Sequence, residues 1–320
     1  MNTHPLAPAR AVAVALGVAL FCCCAATAPA QAPNQPTHFV AHWGLPTDIP
    51  VPADYSGDGA SEVAVHRPGE GNWYIRNLFT NTNSVVGWGD ALTFTDKPVP
   101  ADYDGDMKAD VAVFRPAEGN FYILRSSNNT IGLVGLEGDV PVPADYDGDD
   151  KADPAVFRTS DGLWLIFQSS TGTVRAETFG FGTDIPVPGD YDGDGKHDLA
   201  VHRPSEGKWY ILRSSTNTMS GVQWGDTQAF NDKLVPADYD GDGKTDVAVH
   251  RPAEGNWYIL QSATNTVRLV NWGDTVNLGD KLVPADYTGD CAADIAVYRP
   301  SEGNWYVLES QGPCIGTDRA

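Results

Sequence analysis

Between Asp238 and Asp246 the chain reads DYDGDGKTD, which places carboxylates at relative positions 1, 3, 5 and 9. Like charges this close repel unless they are paired, protonated or shared by a cation. Ca2+ takes six to eight oxygens at about 2.3–2.6 Å in a flexible geometry, whereas Mg2+ demands a stricter octahedron. A tight loop of this spacing predicts a calcium site built from Asp238, Asp240, Asp242 and Asp246. The main-chain carbonyl of Lys244 at position 7 is expected to add a ligand, and Gly243 at position 6 to supply the sharp turn. The Lys244 ammonium is expected to point to water.

The same loop recurs. Loop 4 offers Asp190, Asp192, Asp194 and Asp198 with the Lys196 carbonyl. Loop 2 offers Asp102, Asp104, Asp106 and Asp110 with Lys108, and loop 3 offers Asp145, Asp147, Asp149 and Asp153 with Lys151. Position 6 departs in these two, being Met107 and Asp150; Asp tolerates a left-handed backbone and Met does so poorly. Loop 1 offers Asp54, Ser56, Asp58 and Glu62, and loop 6 offers Asp286, Thr288, Asp290 and Asp294 with Ala292 at position 7 and Cys291 at position 6. Loops 1 and 6 each exchange a carboxylate for a hydroxyl, so weaker affinity is expected there. The cofactor expected is Ca2+ at about four to six sites.

The leading aspartates of the six loops are separated by 48, 43, 45, 48 and 48 residues. An internal period of that length signals a repeat architecture. In each unit the loop runs into an alternating strand such as DVAVHR. A PAEG turn, an aromatic strand such as NWYIL, a polar turn, VRLVNWG and a short final strand, KLVPAD, complete it. Four short strands with Gly, Pro and Asn turns are the pattern of a propeller blade. Alternation sends Val247 and Val249 to one face and Ala248 to the other; Trp257 and Tyr258 likewise diverge. The start, HFVAHWGLPTDIPVPAD, reads as third and fourth strands, and the end, DIAVYRPSEGNWYVLES, as first and second. Joining these halves predicts an all-β propeller of six four-stranded blades, closed by pairing N- and C-terminal strands. Seven blades is the alternative.

These loops, each running into D-x-A-V as at Asp246-Val247-Ala248-Val249 and Asp198-Leu199-Ala200-Val201, resemble the FG-GAP or VCBS-type repeat of integrin alpha chains and many secreted bacterial proteins. The resemblance covers nearly all of residues 38–310. It implies a β-propeller with calcium loops between blades. The family hosts adhesion proteins, lectin-like proteins and some polysaccharide lyases, so it does not fix a function.

The net charge of −21 and pI of about 4.4 argue against nucleic acid and anionic membranes, both of which attract Lys and Arg. Residues 1–30 read as a secretory signal peptide, with an apolar run and an Ala28-Pro29-Ala30 cleavage motif. Cys22, Cys23 and Cys24 leave lipoprotein anchoring open, although Phe21 stands where such sites place a small residue. Residues 31–37 read as a linker, 38–312 as one propeller domain and 313–320 as a tail. Beyond the signal Cys291 and Cys314 remain, a pair fit for one disulfide in an exported chain. The expectation is a secreted or bacterial cell-surface monomer with no stable membrane insertion.

No Ser–His–Asp spacing stands out. His66, His202 and His250 share a slot with Phe114 and Tyr298, which reads as packing. Arg67, Arg115, Arg158, Arg203, Arg251 and Arg299 recur, with a Glu three residues later in five units, which reads as an intrablade ion pair or a backbone hydrogen bond, an anion-binding ring being the sharper reading. A sharper reading makes Trp73, Trp209, Trp257 and Trp305 sugar-stacking platforms, with Arg67, Arg203, Arg251 and Arg299 bonding to ligand. Core packing explains the tryptophans equally well. Three functions follow: an extracellular glycan- or protein-binding adhesion module, a calcium-stabilised structural surface protein, or a polysaccharide-active enzyme such as a lyase.

Overall fold

The computed structural model describes residues 37–310 other than Ala91. Its strands form six antiparallel four-stranded sheets, the six blades of a propeller. Blade 5 shows how the sequence achieves this. Val247–Arg251 pairs with Asn256–Leu260, setting Ala248 opposite Ile259 and His250 opposite Trp257. Val267–Asn271 adds an exposed outer strand and Lys233–Leu234 the inner edge.

The alternation resolves into two blade-to-blade contacts. Val247 and Val249 pack on Ala200, Trp209 and Ile211 of blade 4. Ala248, Trp257 and Ile259 pack on Ile295 and Val297 of blade 6. Each indole removes on the order of 200 Å² from water, which at ~25 cal/mol/Å² stabilises the ring by roughly 5 kcal/mol.

The blade frame differs from the sequence unit by one strand. The short strand ending each unit pairs with the strand after the acidic loop, so it is the inner edge of the following blade. Each acidic loop therefore lies within a blade, between its inner and second strands, and not between blades. Closure is correspondingly three plus one: blade 6 combines Lys281–Leu282, Ile295–Arg299 and Asn304–Leu308 with the N-terminal His38–His42. Ile49–Pro50 already belongs to blade 1. This antiparallel order puts the acidic loops and the turns after the third strands at one end of the propeller. The R-P-x-E-G turns and W-G-D loops lie at the other.

Candidate metal centres

In loop 5 the backbone organises the carboxylates. Asp238 accepts Gly241 N at 2.7 Å on Oδ1 and Gly243 N at 2.8 Å on Oδ2. Asp246, fully buried, accepts Tyr239 N at 3.0 Å and Ser262 N at 2.6 Å on its two oxygens. Asp242 Oδ1 accepts Lys244 N at 2.9 Å and the Ser262 hydroxyl at 2.8 Å. Tyr239 anchors the loop, its buried hydroxyl donating to Val235 O at 2.7 Å. One buried carboxylate oxygen is left over: Asp240 Oδ1 has no hydrogen-bond donor.

That orphan recurs at position 3 in loops 2, 3 and 4, on Asp104, Asp147 and Asp192. A buried acceptor without a partner costs about 1–3 kcal/mol, more when charged. Burial also pushes the position 9 carboxyls up, Asp110 to about 6 and Asp246 to about 7, with Asp153 and Asp198 shifted the same way. Three carboxylate oxygens lie within 4.8 Å of one another in five loops: Asp102, Asp104 and Asp110; Asp145, Asp147 and Asp153; Asp238, Asp240 and Asp246; Asp190, Asp192 and Asp194; and Asp54, Asp58 and Glu62. The full four-carboxylate convergence is not reached. In loops 2, 3 and 5 the position 5 residues Asp106, Asp149 and Asp242 stand outside the group, held by the following Ser hydroxyl, and in loop 4 Asp198 does. An all-oxygen donor set with one unsatisfied buried acceptor suits a hard divalent ion.

Loops 1 and 6 depart further. In loop 1 the Asn77 side-chain amide donates to Ser56 Oγ at 3.0 Å, Asp58 Oδ2 at 2.8 Å and Glu62 Oε1 at 2.7 Å, so an amide nitrogen already sits among the oxygens. In loop 6 Asp286, Asp290 and Asp294 do not meet the three-oxygen criterion among the described residues. Ser310 Oγ donates there to Asp294 Oδ1 at 3.1 Å and to Ala292 O at 3.2 Å, engaging the carbonyl expected to ligate. Thr288 only donates back to Asp286.

Position 6 is left-handed in every loop, at φ +64° for Met107, +63° for Asp150 and +67° for Cys291 as well as for the glycines. The stems of the position 7 lysines fold back over the neighbouring loop instead of standing clear of the protein. Lys108, Lys151, Lys196 and Lys244 lie over the preceding loop's glycine; a Cβ on Gly193 would meet Lys244 Cε at 2.8 Å. Lys196 Nζ also donates to Asp147 O at 2.8 Å. A closed circuit of backbone bonds joins the loops: the position 8 N–H of each donates to the position 1 carbonyl of the loop before it. It runs from Ala109 N to Asp54 O onward to Ser61 N to Asp286 O, at 2.6–2.7 Å throughout.

The tryptophan platforms are overturned. Trp73, Trp209, Trp257 and Trp305 have no exposed surface, because they fill the contact between blades. The arginines are tied down by a partner the spacing did not reveal. Arg67, Arg115, Arg203, Arg251 and Arg299 clamp Asp48, Asp96, Asp184, Asp232 and Asp280, each aspartate side chain fully buried, at 2.8–2.9 Å. The Glu three residues on is the more distant partner, at 3.4–3.6 Å. The pair is 19 residues apart across the acidic loop, so no local motif marks it. Blade 3 alone differs: Arg158 pairs with Asp161, and Asp139 instead accepts Thr159. His66, His202 and His250 pack as expected, each buried against the tryptophan opposite. Cys291 is disulfide-bonded, and Cys314, its expected partner, lies outside the described residues, as does the segment read as a signal peptide.

The far end carries a feature that sequence reading missed. Phe94, Phe181 and Phe230 are 43%, 61% and 51% exposed and lie 4.0–4.2 Å over the guanidinium groups of Arg115, Arg203 and Arg251. Tyr122, Tyr210 and Tyr258 contact the same guanidinium groups, at 4.4–4.9 Å. Leu45 and Leu278 fill the matching loop position in blades 1 and 6. The available signal was an apolar residue two or three places before each clamp aspartate.

Fold and loops together define a six-bladed β-propeller with acidic clusters at one end. A family model described as FG-GAP-like repeat matches residues 190–249, from loop 4 into the second strand of blade 5. No curated protein matches the chain. Among solved structures it is similar to an Agrocybe aegerita lectin described as recognising non-reducing terminal N-acetylglucosamine, at 18% identity and TM-score 0.52, covering 83% of this chain and 81% of that one. It is also similar to virginiamycin B lyase from Staphylococcus aureus, at 11% identity and TM-score 0.50, covering 86% and 89%. The Cps50 (Swd1) propeller domain of Myceliophteria thermophila matches at 9% identity and TM-score 0.50, covering 86% and 100%. Identities this low speak for fold alone.

Proposed function

We propose that this chain is a secreted, calcium-binding β-propeller that serves as an extracellular binding module, with carbohydrate as the favoured ligand class. Calcium in the acidic loops would neutralise the buried carboxylates and brace the circuit of loops. The opposite end would face the ligand. Export is supported by the N-terminal sequence and by the oxidised state of Cys291, since disulfides persist in oxidising compartments.

The observation carrying the binding reading is the set of Phe94, Phe181 and Phe230. Each is exposed, yet each is held by stacking on an arginine that is itself clamped to a buried aspartate. Scattered exposed apolar side chains are ordinary, but these three rings recur at one loop position in three blades, each fixed on an arginine. Rings already fixed in place lose little freedom on binding, and repeated weak contacts gain from effective concentration.

A glycan array probed with calcium-loaded wild type and with a Phe94→Ala, Phe181→Ala, Phe230→Ala triple variant tests this reading. Wild type should bind at least one glycan class. The triple variant should lose at least tenfold in affinity while its thermal midpoint stays within a few degrees. Silence across a broad array, or undiminished binding by the variant, would remove the carbohydrate reading and favour a purely structural role.

A further inference from the structure

The repeats act as internal controls for one another, and one junction breaks their pattern at the metal-bearing end. Between blades 3 and 4 lies a cavity of about 220 Å³. Into it converge Arg175 from Thr173–Thr178, Lys196 and His197 from loop 4, and Arg213 just past Lys208–Leu212. Gln168, Asn217, Ser214 and Asp147 add to its polar lining. Three permanent cations gather here on a chain of net charge −21.

The equivalent positions show how unusual the set is. The register slot of Arg175, opposite Ile166, holds Ser84, Gly132 and Ser220 in blades 1, 2 and 4, and Arg268 in blade 5. His197 is replaced by Ser61, Ala109, Ala152, Thr245 and Ala293 in the other loops. The slot of Arg213 holds Asn77, Gln168, Gln261 and Glu309 in four blades and Arg125 in blade 2. At the blade 5–6 junction, where Arg268 recurs, the partners are Ala292, Ala293 and Glu309. Only between blades 3 and 4 do Arg175, Lys196, His197 and Arg213 coincide.

Among the described residues this charge is met only weakly. Arg213 is held through its backbone, its N–H donating to Thr218 O at 3.1 Å and its carbonyl accepting Asn217 N at 2.8 Å, and its side chain pairs with no carboxylate among the described residues. Arg175 has only a loose contact with Glu177 at 3.7 Å, with both groups partly exposed. Lys196 donates to a main-chain carbonyl and to no carboxylate. Asp147 is the one carboxylate on the lining; its Oδ2 accepts the Ser170 hydroxyl at 2.7 Å, and its buried Oδ1 is the oxygen assigned above to the loop 3 metal centre. Guanidinium groups present a planar fork to an oxyanion, and side-chain amides bond well to hydroxyls. The cavity is smaller than a drug-sized site.

We propose that this junction binds a small hydroxylated oxyanion, a sugar acid or sugar phosphate, with Arg175 and Arg213 gripping the anionic group and Gln168 and Asn217 reading the hydroxyls. The site is separate from the aromatic end and stands whether or not that end binds glycans.

The test is calorimetric titration of the calcium-loaded full chain with D-galacturonate, glucose 6-phosphate, inorganic phosphate and glucose. The first two should bind; tighter binding of galacturonate assigns a carboxylate and tighter binding of glucose 6-phosphate a phosphate. Glucose should bind at least tenfold more weakly. Arg175→Ser and Arg213→Gln install residues that other blades already carry at those slots, so the fold should persist, as a thermal midpoint verifies. Together they should weaken the bound anion at least tenfold. Binding of glucose as tight as that of the anions, affinity unchanged in the double variant, inorganic phosphate alone bound, or no anion bound at millimolar concentration would each overturn the proposal.

Discussion

At the scale of single residues, His250 shows how repeats expose a cost. It is fully buried against Trp257, 5.5 Å between ring centroids, and neither ring nitrogen has a hydrogen-bond partner. Burial pushes its pKa down to about 4, against the opposing pull of Asp232 and Asp280 and with the help of Lys233. The folded value thus lies below the unfolded one, so the unfolded chain takes the proton first. Stability from this group is complete above about pH 6.5 and is lost as pH falls toward 4, at ~1.4 kcal/mol for each unit of difference. The slot already accepts Phe114 and Phe157, whose rings lie 4.9 and 5.3 Å from those of Phe121 and Trp164 at tilts of 50° and 60°. His250→Phe should therefore stabilise by about 1–2 kcal/mol at pH 7 by removing unsatisfied buried atoms. Its advantage over wild type should widen at pH 5. Denaturant midpoints at both pH values measure this, and an advantage that shrinks on acidification would contradict it.

At the scale of elements, the acidic loop is a fixed backbone form imposed on six sequences. Met107 adopts φ +64° in loop 2, where loops 1, 4 and 5 use glycine, and its side chain is largely exposed. A non-glycine residue in the left-handed region costs roughly 1–2 kcal/mol. Met107→Gly should raise stability by about 1 kcal/mol, the gain offset in part by glycine's greater freedom in the unfolded chain; a loss measured by chemical denaturation would show that the methionine does more than fill the turn. The loops were also the most legible element in the sequence, because carboxylates at fixed positions are a local pattern repeated at a fixed period. The alternation of Val247-Ala248-Val249 and the aromatic strand were readable for the same reason. What escaped was non-local. The two-residue inner strand carries no mark of the blade to which it belongs, so the boundary was set one strand late. The Arg251–Asp232 clamp spans 19 residues with a loop between. Ser262, which holds two of the loop 5 carboxylates, sits in a turn that reads merely as polar.

At the scale of the whole molecule, closure follows from the ends of the repeat array. His38–His42 completes blade 6 as its outer strand, so the last sheet is not left three-stranded and the edge of Asn304–Leu308 stays covered. The circuit of backbone bonds between consecutive loops ties every candidate metal centre to its neighbours through the main chain. Six in-phase loops were visible in the sequence, and the hydroxyls of loops 1 and 6 already marked those two as weaker; what was not visible was which side chains fill them. Four have a buried, unsatisfied position 3 oxygen, one is filled by the Asn77 amide and one is closed off by Ser310. The most direct measurement is calorimetric titration of Ca2+ into chelator-stripped protein, paired with a thermal scan. Four tight sites, loops 2 to 5, and a marked rise in thermal midpoint on calcium addition are predicted. A stoichiometry near zero, with the same midpoint in calcium and in EGTA, would contradict the account at its centre.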